Sequence, residues 1–332
     1  MTGALQRAWL HRGPLALLLW PVSLAYGTLV RIRRAAFASG LIRTHRVGVP
    51  VIVVGNIVAG GAGKTPVVIA VLDHLRARGF CAGVVSRGYG RSSSGCVEVD
   101  LKTDPREAGD EPLLIARRCA VPVVVDADRP NAARVLLQRH PGVRVIVADD
   151  GLQHLALERD IEIVVYDERG VGNGCLLPAG PLREHAPRRA DLAVRPPQLA
   201  AIEGHGVRRR LGSTAVRADG VTRALGELAR EPCAALAAIA QPEAFFAMLR
   251  ESGVPLEKTF ARADHDRLES PLPAMDDIAH LLCTEKDAAK LWRTRPDAWA
   301  VPLEVELDAA FWRSFDGLLD AKLSSPNGPQ TA

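Results

Sequence analysis

The sequence predicts an α/β fold: a doubly wound parallel sheet of the P-loop type, a second, smaller α/β domain, and an N-terminal helical segment. Three observations support this prediction. The β-branched run Val51–Val54 is followed by a glycine-rich loop and then by Lys64-Thr65, which open an apolar helical segment. Strand and helix patterns then alternate as far as residue 194, which is typical of parallel sheets with right-handed crossovers. The stretch Pro14–Val30 is apolar and has arginines on both sides.

The elements follow the chain in a regular order. The predicted strands are 51–54, 81–86, 121–126, 143–148, 161–166 and 191–194, then 234–240, 256–260, 280–283 and 300–307. The predicted helices are 66–78, 130–139, 242–252 and 287–293. We expect an N-terminal segment at 1–46, a P-loop domain at 47–200, a linker at 201–232, a second α/β domain at 233–323 and a disordered tail at 324–332.

Composition excludes several classes of protein. Of the 332 residues, 48% are hydrophobic and 24% are charged, which is an ordinary globular composition with enough apolar residues for sizeable cores. The six cysteines are scattered, with no CxxC pair or Cys/His cluster, and this argues against a zinc site or a disulfide framework. We therefore expect a protein of a reducing cytoplasm.

The N-terminal segment combines apolar and basic character. Residues 1–46 contain arginines but no acidic residue, so an anionic partner is expected. The apolar stretch Pro14–Val30 is short for a transmembrane helix, which needs about 20 residues. A helix lying in the membrane interface, with Trp20 and Tyr26 at headgroup depth, is favoured. A true span, a signal peptide and a buried core helix are the alternatives, and nucleic acid is disfavoured because the arginines flank an apolar segment.

The glycine-rich loop indicates a phosphate site. Glycines let backbone N–H groups point toward an anion at a helix N-terminus. Lys64 is expected to reach the β- and γ-phosphates, and the Thr65 hydroxyl to hold Mg²⁺. The strict pattern has a glycine five residues before Gly63, where this chain has Val58, so a plain glycine-rich turn is the alternative. The residues predicted to bind the nucleotide are Gly60, Gly61, Ala62, Gly63, Lys64, Thr65 and Pro66.

Charged residues also follow two other predicted strands. Asp149 and Asp150 come directly after an apolar strand, an arrangement that brings a carboxylate to the Mg²⁺ of a P-loop. The alternative is an ordinary Asp-Gly turn. Arg87 ends another strand at the sheet edge where ligands bind, so it is a candidate phosphate ligand or else part of a solvated turn.

Two further polar positions have both a functional and a structural interpretation. Asp110 and Glu111 precede a helical pattern, where one carboxylate would suffice as a helix cap. His265 lies between two aspartates in a loop, as a surface residue or as a base oriented by an acid.

Together these motifs resemble the tetraacyldisaccharide 4′-kinase family of lipid A biosynthesis. The segments that carry the resemblance are Gly55-Asn56 with GGAGKTP, Ser86–Tyr89, Glu107–Pro112, Asp149–His154, Leu177–Glu184, Asp264-His265 and Thr284–Asp287. The resemblance implies ATP- and Mg²⁺-dependent phosphorylation of the 4′-hydroxyl of a tetraacylated glucosamine disaccharide 1-phosphate. It also implies a peripheral, monotopic enzyme on the cytoplasmic face of the inner membrane. We expect a monomer that binds this lipid A precursor and the membrane surface but no nucleic acid.

The resemblance also implies roles for single residues. Asp110 is the expected base, paired with His265 from the second domain as a dyad that assembles on domain closure. Lys64 is the third catalytic residue. The expected metal ligands are Thr65 and either or both of Asp149 and Asp150, and the candidate substrate contacts are Arg87, Glu111 and Arg183.

Two rival functions use the same P-loop. One is a GTPase or metallochaperone ATPase. Guanine selection in a GTPase uses Asn-Lys-x-Asp, but the nearest segment, Thr284–Asp287, has its lysine one place late. A membrane-bound nucleotide switch without an acceptor would need neither Asp110 nor His265.

Overall fold

A computed structural model describes residues 8–61, 63–270, 275 and 277–324. The helices are α1 (Pro14–Ala38), α2 (Lys64–Ala77), α3 (Pro105–Ala108), α4 (Asp110–Cys119), α5 (Arg129–Arg139), α6 (Leu225–Leu228), α7 (Pro242–Glu251), α8 (Glu285–Leu291) and α9 (Ala309–Leu323). The strands are β1 (Val51–Gly55), β2 (Ala82–Ser86), β3 (Val97–Val99), β4 (Val123–Val125), β5 (Val145–Asp149), β6 (Ile161–Val165), β7 (Leu192–Arg195), β8 (His205–Leu211), β9 (Thr214–Val216), β10 (Thr222–Ala224), β11 (Cys233–Ala237), β12 (Leu256–Ala261), β13 (His280–Thr284), β14 (Trp299–Val301) and β15 (Leu303–Leu307).

The chain forms two compact units that are not contiguous in sequence. The first unit comprises Met1–Arg87, Val121–Arg208 and Leu307–Ala332, and the second comprises Gly88–Ala120 and Arg209–Glu306. This division differs from the contiguous domains expected from the sequence. The segment after β2 belongs to the second unit although it lies between two strands of the first, and a division by sequence position alone does not reveal such an excursion.

The first unit is built on a parallel sheet with β1 at its centre. The strands pair in the order β8, β7, β6, β1, β5, β2, β4, and every pairing is parallel. All residues of β1 are buried, as expected for a β-branched strand covered on both faces. Its register pairs Val54 with Asp149, so the chain leaves β1 for the glycine loop at the edge where β5 ends. The predicted doubly wound parallel sheet is confirmed.

Helix α1 is one continuous helix with two different faces. Its buried residues are small, Ala16, Ser23 and Gly27, and a Cβ at Gly27 would lie 2.7 Å from a methyl group of Leu176. The other face is rich in exposed leucine, valine and isoleucine, so a buried core helix is wrong for this segment. By length and composition α1 is the one helix in the described part of the chain that could cross a membrane, and an 18-residue stretch of it has a mean hydropathy of 1.6.

Two details of the N-terminal prediction change. The Tyr26 side chain, predicted at headgroup depth, instead turns toward the protein: its hydroxyl donates a hydrogen bond to the Arg183 carbonyl at 2.8 Å. The segment before α1 is also anchored: Trp9 is 4% exposed, and its indole Nε1 donates to the Pro178 carbonyl at 3.0 Å. Arg12 Nε donates to the carbonyl of Asn173 at 3.0 Å.

The second unit contains a six-stranded mixed sheet in the order β10, β9, β14, β13, β11, β12. Strands β12, β11, β13 and β14 are parallel, and β9 is antiparallel to both of its neighbours. The predicted strand 300–307 is wrong: it is two strands separated at Pro302, which has no N–H to donate to a sheet. The segment expected as a linker, 201–232, forms β8, β9, β10 and α6. Most of the tail predicted at 324–332 lies outside the described residues.

Candidate active site

The glycine loop ends at the N-terminus of α2. Gly60 and Gly63 have φ of +96° and +67°, values that side chains with a Cβ rarely adopt, and Gly63 is the N-cap residue of the helix. Lys64 and Thr65 form the first turn and are 7% and 8% exposed. A helix N-terminus with a left-handed glycine before it presents N–H groups to an anion. Ala62, predicted to contact the nucleotide, lies outside the described residues.

Val58, the departure from the strict P-loop pattern, has a structural role. It is fully buried and forms an antiparallel bridge with Leu182, and the amide of the next residue donates to the Pro181 carbonyl at 2.7 Å. The Asn56 side chain donates to the Val58 carbonyl at 2.7 Å. The first half of the loop is therefore fixed by core packing and backbone hydrogen bonds, and a valine suits that task better than glycine.

Two acidic residues and two cations meet where β5 ends. Asp149 is 1% exposed, and its Oδ2 accepts a hydrogen bond from the Ser86 hydroxyl at 3.3 Å. Asp150 has φ +48°, and its Oδ1 lies 3.6 Å from Lys64 Nζ and 3.0 Å from an Arg183 nitrogen. Burial raises the pKa of Asp150, but the charges of Lys64 and Arg183 outweigh that effect and hold the pKa below its usual value. Asp150 is therefore a carboxylate at neutral pH.

This donor set fits a magnesium ion carried by a nucleotide. Magnesium takes one or two protein carboxylates together with phosphate oxygens and waters. Thr65, Asp149 and Asp150 provide a hydroxyl and two carboxylates at the edge where the glycine loop begins. Within the described residues no group of three or more acids, histidines or cysteines forms a self-sufficient metal site. A metal here would need the phosphates as additional ligands.

Two arginines near this edge differ in exposure. Arg87 is exposed at the end of β2, as a phosphate ligand requires. Arg129, which the sequence prediction missed, is 3% exposed beside the acidic pair, and it donates to the Asp126 carbonyl at 3.2 Å. Burial lowers the pKa of Arg129 to about 10. The guanidinium therefore still carries its positive charge at neutral pH.

A third arginine, Arg169, which the sequence prediction also missed, contacts the glycine loop through its side chain. Arg169 pairs with the buried Asp167 at 2.5 Å and donates to the carbonyls of Ala59 at 3.1 Å and Gly61 at 3.4 Å. These contacts use loop carbonyls, and the loop N–H groups are not involved in them. Arg169 thus holds the carbonyls of Ala59 and Gly61 in place.

The second unit brings together Asp110 and His265. Asp110 Oδ2 lies 3.1 Å from His265 Nδ1, although the two residues are 155 positions apart in the chain. His265 has φ +62°, an unusual conformation for a non-glycine residue and one that clusters at functional sites. The Tyr89 ring lies beside the imidazole, with centroids 5.2 Å apart. Both members of the dyad belong to the second unit, so the expectation that they come from different domains is wrong.

Asp110 does not serve as a helix cap. It is the first residue of α4, the N-cap is Gly109, and no side chain caps that end. Gly109 has φ +91°, and a Cβ there would lie 2.9 Å from the Tyr89 carbonyl oxygen. Only glycine fits this position, and it directs the Asp110 side chain to His265.

Two lysines of α8 complete the cluster, and the sequence prediction assigned a role to neither. Lys290 Nζ lies 3.0 Å from Asp110 Oδ2. Lys286 Nζ lies 3.2 Å from Asp264, 3.8 Å from Glu111 and 3.4 Å from His265 Nε2. Glu111, predicted as a substrate contact, is thus within ion-pair distance of Lys286. The available signal was the four-residue spacing of the lysines, which places both on one helix face.

Comparison with known proteins decides the family. The profile of the family described as LpxK, tetraacyldisaccharide-1-P 4′-kinase, matches residues 15–320. A tetraacyldisaccharide 4′-kinase of Acidovorax sp. (strain JS42) is 52% identical over 324 residues, covering 97% of this chain and 95% of that protein. The chain belongs to the tetraacyldisaccharide 4′-kinase family. A relative of the same name from Polaromonas naphthalenivorans (strain CJ2) is 51% identical over 343 residues and 100% of both chains.

A solved structure agrees with this membership. The crystal structure of LpxK from Aquifex aeolicus in complex with ATP superposes with a TM-score of 0.80 at 28% sequence identity. It covers 92% of this chain and 99% of that chain. The 4′-kinase fold is therefore shared over nearly the whole length of the chain.

Proposed function

We propose that this chain transfers the γ-phosphate of ATP to the 4′-hydroxyl of a tetraacylated glucosamine disaccharide 1-phosphate. The observation that supports this most is the Asp110–His265 pair. A nucleotide switch without an acceptor has no need for a base that removes the proton of an acceptor hydroxyl. Membership of the 4′-kinase family identifies the acceptor class.

In this proposal the first unit neutralises the phosphates. The loop amides and the N-terminus of α2 receive the phosphate oxygens, and Lys64 places a positive charge on the β- and γ-phosphates. Arg87 and Arg183 are further candidates for phosphate charge, the acceptor's 1-phosphate included. Thr65, Asp149 and Asp150 would hold Mg²⁺, which would supply the remaining charge neutralisation.

The second unit supplies the base. Asp110 takes the proton of the 4′-hydroxyl, and the electron pair of that O–H bond forms the new oxygen–phosphorus bond. The bond between the γ-phosphorus and its bridging oxygen breaks, and that oxygen leaves with ADP. Burial raises the pKa of Asp110, but the His265 hydrogen bond and the charges of Lys290 and Lys286 more than compensate, so the pKa lies below its usual value. The group is therefore ionised and ready to accept a proton at neutral pH.

The direct test is phosphate transfer from γ-labelled ATP to purified tetraacyl disaccharide 1-phosphate in mixed micelles, with and without Mg²⁺. We expect labelled lipid with the wild-type protein, and a loss of about 10²–10⁴-fold in Asp110→Asn. Asp219→Asn, a change at an exposed carboxylate of the second unit, is the matched control and should transfer normally. ATP hydrolysis with unlabelled lipid would refute the kinase and favour the nucleotide switch.

We also propose that the protein works as a monomer on the cytoplasmic face of the inner membrane, held by α1. The apolar face of this helix supports the proposal, because Leu17, Leu18 and Leu29 are 67%, 75% and 66% exposed. Arg31 and Arg33 lie near its C-terminal end and are exposed, where anionic headgroups would attract them. A helix with these two features lies in the interface.

Truncation is a poor test of this anchor, because the segment before α1 packs against residues 173–178 through Trp9 and Arg12. The better variant is the triple change Leu17→Ser, Leu18→Ser and Leu29→Ser. We expect it to lose flotation with vesicles containing anionic lipid, while Leu101→Ser, at a leucine of the second unit that is 63% exposed, floats like wild type. Unchanged flotation of the triple variant would move the anchor elsewhere, and sedimentation equilibrium tests the monomer.

A further inference from the structure

Helix α8 presents two lysines to the dyad, and each contacts a different member. Lys290 Nζ lies 3.0 Å from Asp110 Oδ2. Lys286 Nζ lies 3.4 Å from His265 Nε2. Both lysines are largely buried, with side chains 10% and 16% exposed. A buried lysine loses most of its hydration, which costs free energy. Its charge is therefore stabilised at such a site by a defined partner.

The two carboxylate oxygens of Asp110 have different contacts. The His265 ring and the Lys290 ammonium both reach Oδ2, at 3.1 Å and 3.0 Å. In the part of the chain that the structure describes, no hydrogen bond or ion pair reaches Oδ1. One oxygen is thereby used for orientation and the other is left to accept a proton from an alcohol.

The contact between Lys286 and His265 assigns the imidazole proton. An ammonium group has donors and no acceptor, so Nε2 of the ring must be the acceptor in this hydrogen bond. The ring proton then lies on Nδ1 and is donated to Asp110 Oδ2. Asp264 Oδ1, which is 3.8 Å from Nε2 and 3.2 Å from Lys286 Nζ, faces the same place and helps to hold the ammonium there.

We propose that Lys286 and Lys290 are positioning residues of the phosphoryl transfer, which hold the Asp110–His265 dyad with Oδ1 of Asp110 as the proton acceptor. This inference rests on the proposed kinase function. Lys290 orients the Asp110 carboxylate and stabilises its negative charge. Lys286 favours the Nδ1–H tautomer of His265. The proton of the acceptor hydroxyl moves to Oδ1 while its oxygen bonds to phosphorus.

The surrounding charges predict the direction of the pH effect. The groups that face Asp110 are His265, Lys290 and Lys286, and Glu111 faces Lys286. Loss of Lys290 removes a cation and a hydrogen bond from the carboxylate, so the pKa of Asp110 rises. Because transfer needs the carboxylate, the acidic limb of the rate profile moves to higher pH.

The test compares Lys290→Met with Lys290→Arg, and uses Lys258→Met, at an exposed lysine of β12, as the matched control. We expect Lys290→Met to lower kcat about 10–100-fold with little change in the KM for ATP. The acidic limb of the pH–rate profile of Lys290→Met should move up by about one pH unit. In Lys290→Arg this limb should return to its wild-type position. Added to Asp110→Asn, the Lys290→Met change should cost nothing further, because both variants remove the same function.

If Lys290 had only a structural role, the loss of kcat in Lys290→Met would add to that of Asp110→Asn, and the pH profile would stay in place.

A second measurement needs no turnover. The ¹⁵N chemical shifts of the His265 ring should report a proton on Nδ1, and Lys286→Met should remove that preference. A ring that is doubly protonated at neutral pH, facing Asp264, would overturn the proposal. Absence of lipid phosphorylation by the wild-type protein would refute the kinase itself, whereas the ring tautomer can be measured in either case.

Discussion

The two units assemble their chemical groups in opposite ways. In the first unit the proposed phosphate-binding groups come from neighbouring residues after one strand, and the acidic pair lies at the end of the adjacent strand. In the second unit Asp110 meets His265 and Lys290 across 155 and 180 positions of sequence. A local motif depends on its backbone conformation, whereas a cluster drawn from distant segments depends on the packing of every segment. The first is robust to changes elsewhere, and the second is sensitive to them.

A large loss of activity is expected when the local motif of the first unit loses the charge of Lys64. Lys64→Met should lower transfer by about 10²–10³-fold, because the β- and γ-phosphates lose a positioned cation in a water-poor site. Steady-state kinetics with saturating lipid measures this loss. Lys322→Met, at an exposed lysine of α9, is the control. Normal kcat and KM for ATP in Lys64→Met would contradict the phosphate-binding role of the loop.

An intermediate loss of activity is expected from a change at Gly109, whose backbone conformation positions Asp110 in the cluster of the second unit. Gly109→Ala should lower kcat about tenfold or more, because an alanine is strained at φ +91° and its Cβ would lie 2.9 Å from the Tyr89 carbonyl. The KM for ATP should stay near the wild-type value. Gly253→Ala, also at positive φ but with open space around the Cβ, separates backbone strain from displacement of Asp110. Equal losses of kcat in the two variants would argue against a positioning role for Gly109.

The smallest expected effect concerns stability in acid, and it belongs to the first unit. Burial, together with the charge of Arg129, lowers the pKa of His154 to about 4. The unfolded chain binds this proton near pH 6.5, so the folded state loses stability as the pH falls from about 6.5 to 4. His154→Asn should flatten the free energy of unfolding over this window, as measured by urea denaturation. The same slope in both proteins would show that His154 is not the group responsible.

Sequence reasoning succeeded where a signal was local. The strand Val51–Val54, the glycine turn and the acids after β5 could be found because each is a short pattern with one physical meaning. The parallel order of the first sheet followed from the strand–helix alternation. Asp110 and His265 were found through resemblance to a family, since no spacing rule connects residues so far apart.

The parts that could not be predicted depend on packing. The excursion of Gly88–Ala120 into the second unit leaves no composition signal, so the dyad was assigned to two domains. Arg129 and Arg169 lie among other arginines that look alike in sequence, and only burial distinguishes them. Lys286 and Lys290 read as the charged face of a short helix until Asp110 and His265 are placed beside them.

Val58 has a thermodynamic consequence for nucleotide binding. Its fully buried side chain and its bridge to Leu182 fix half of the loop before any ligand arrives. A segment that is already ordered has little conformational entropy left to lose on association, so more of the interaction energy with the phosphates remains as affinity. A glycine at this position would give the unbound loop more accessible conformations and make each binding event less favourable.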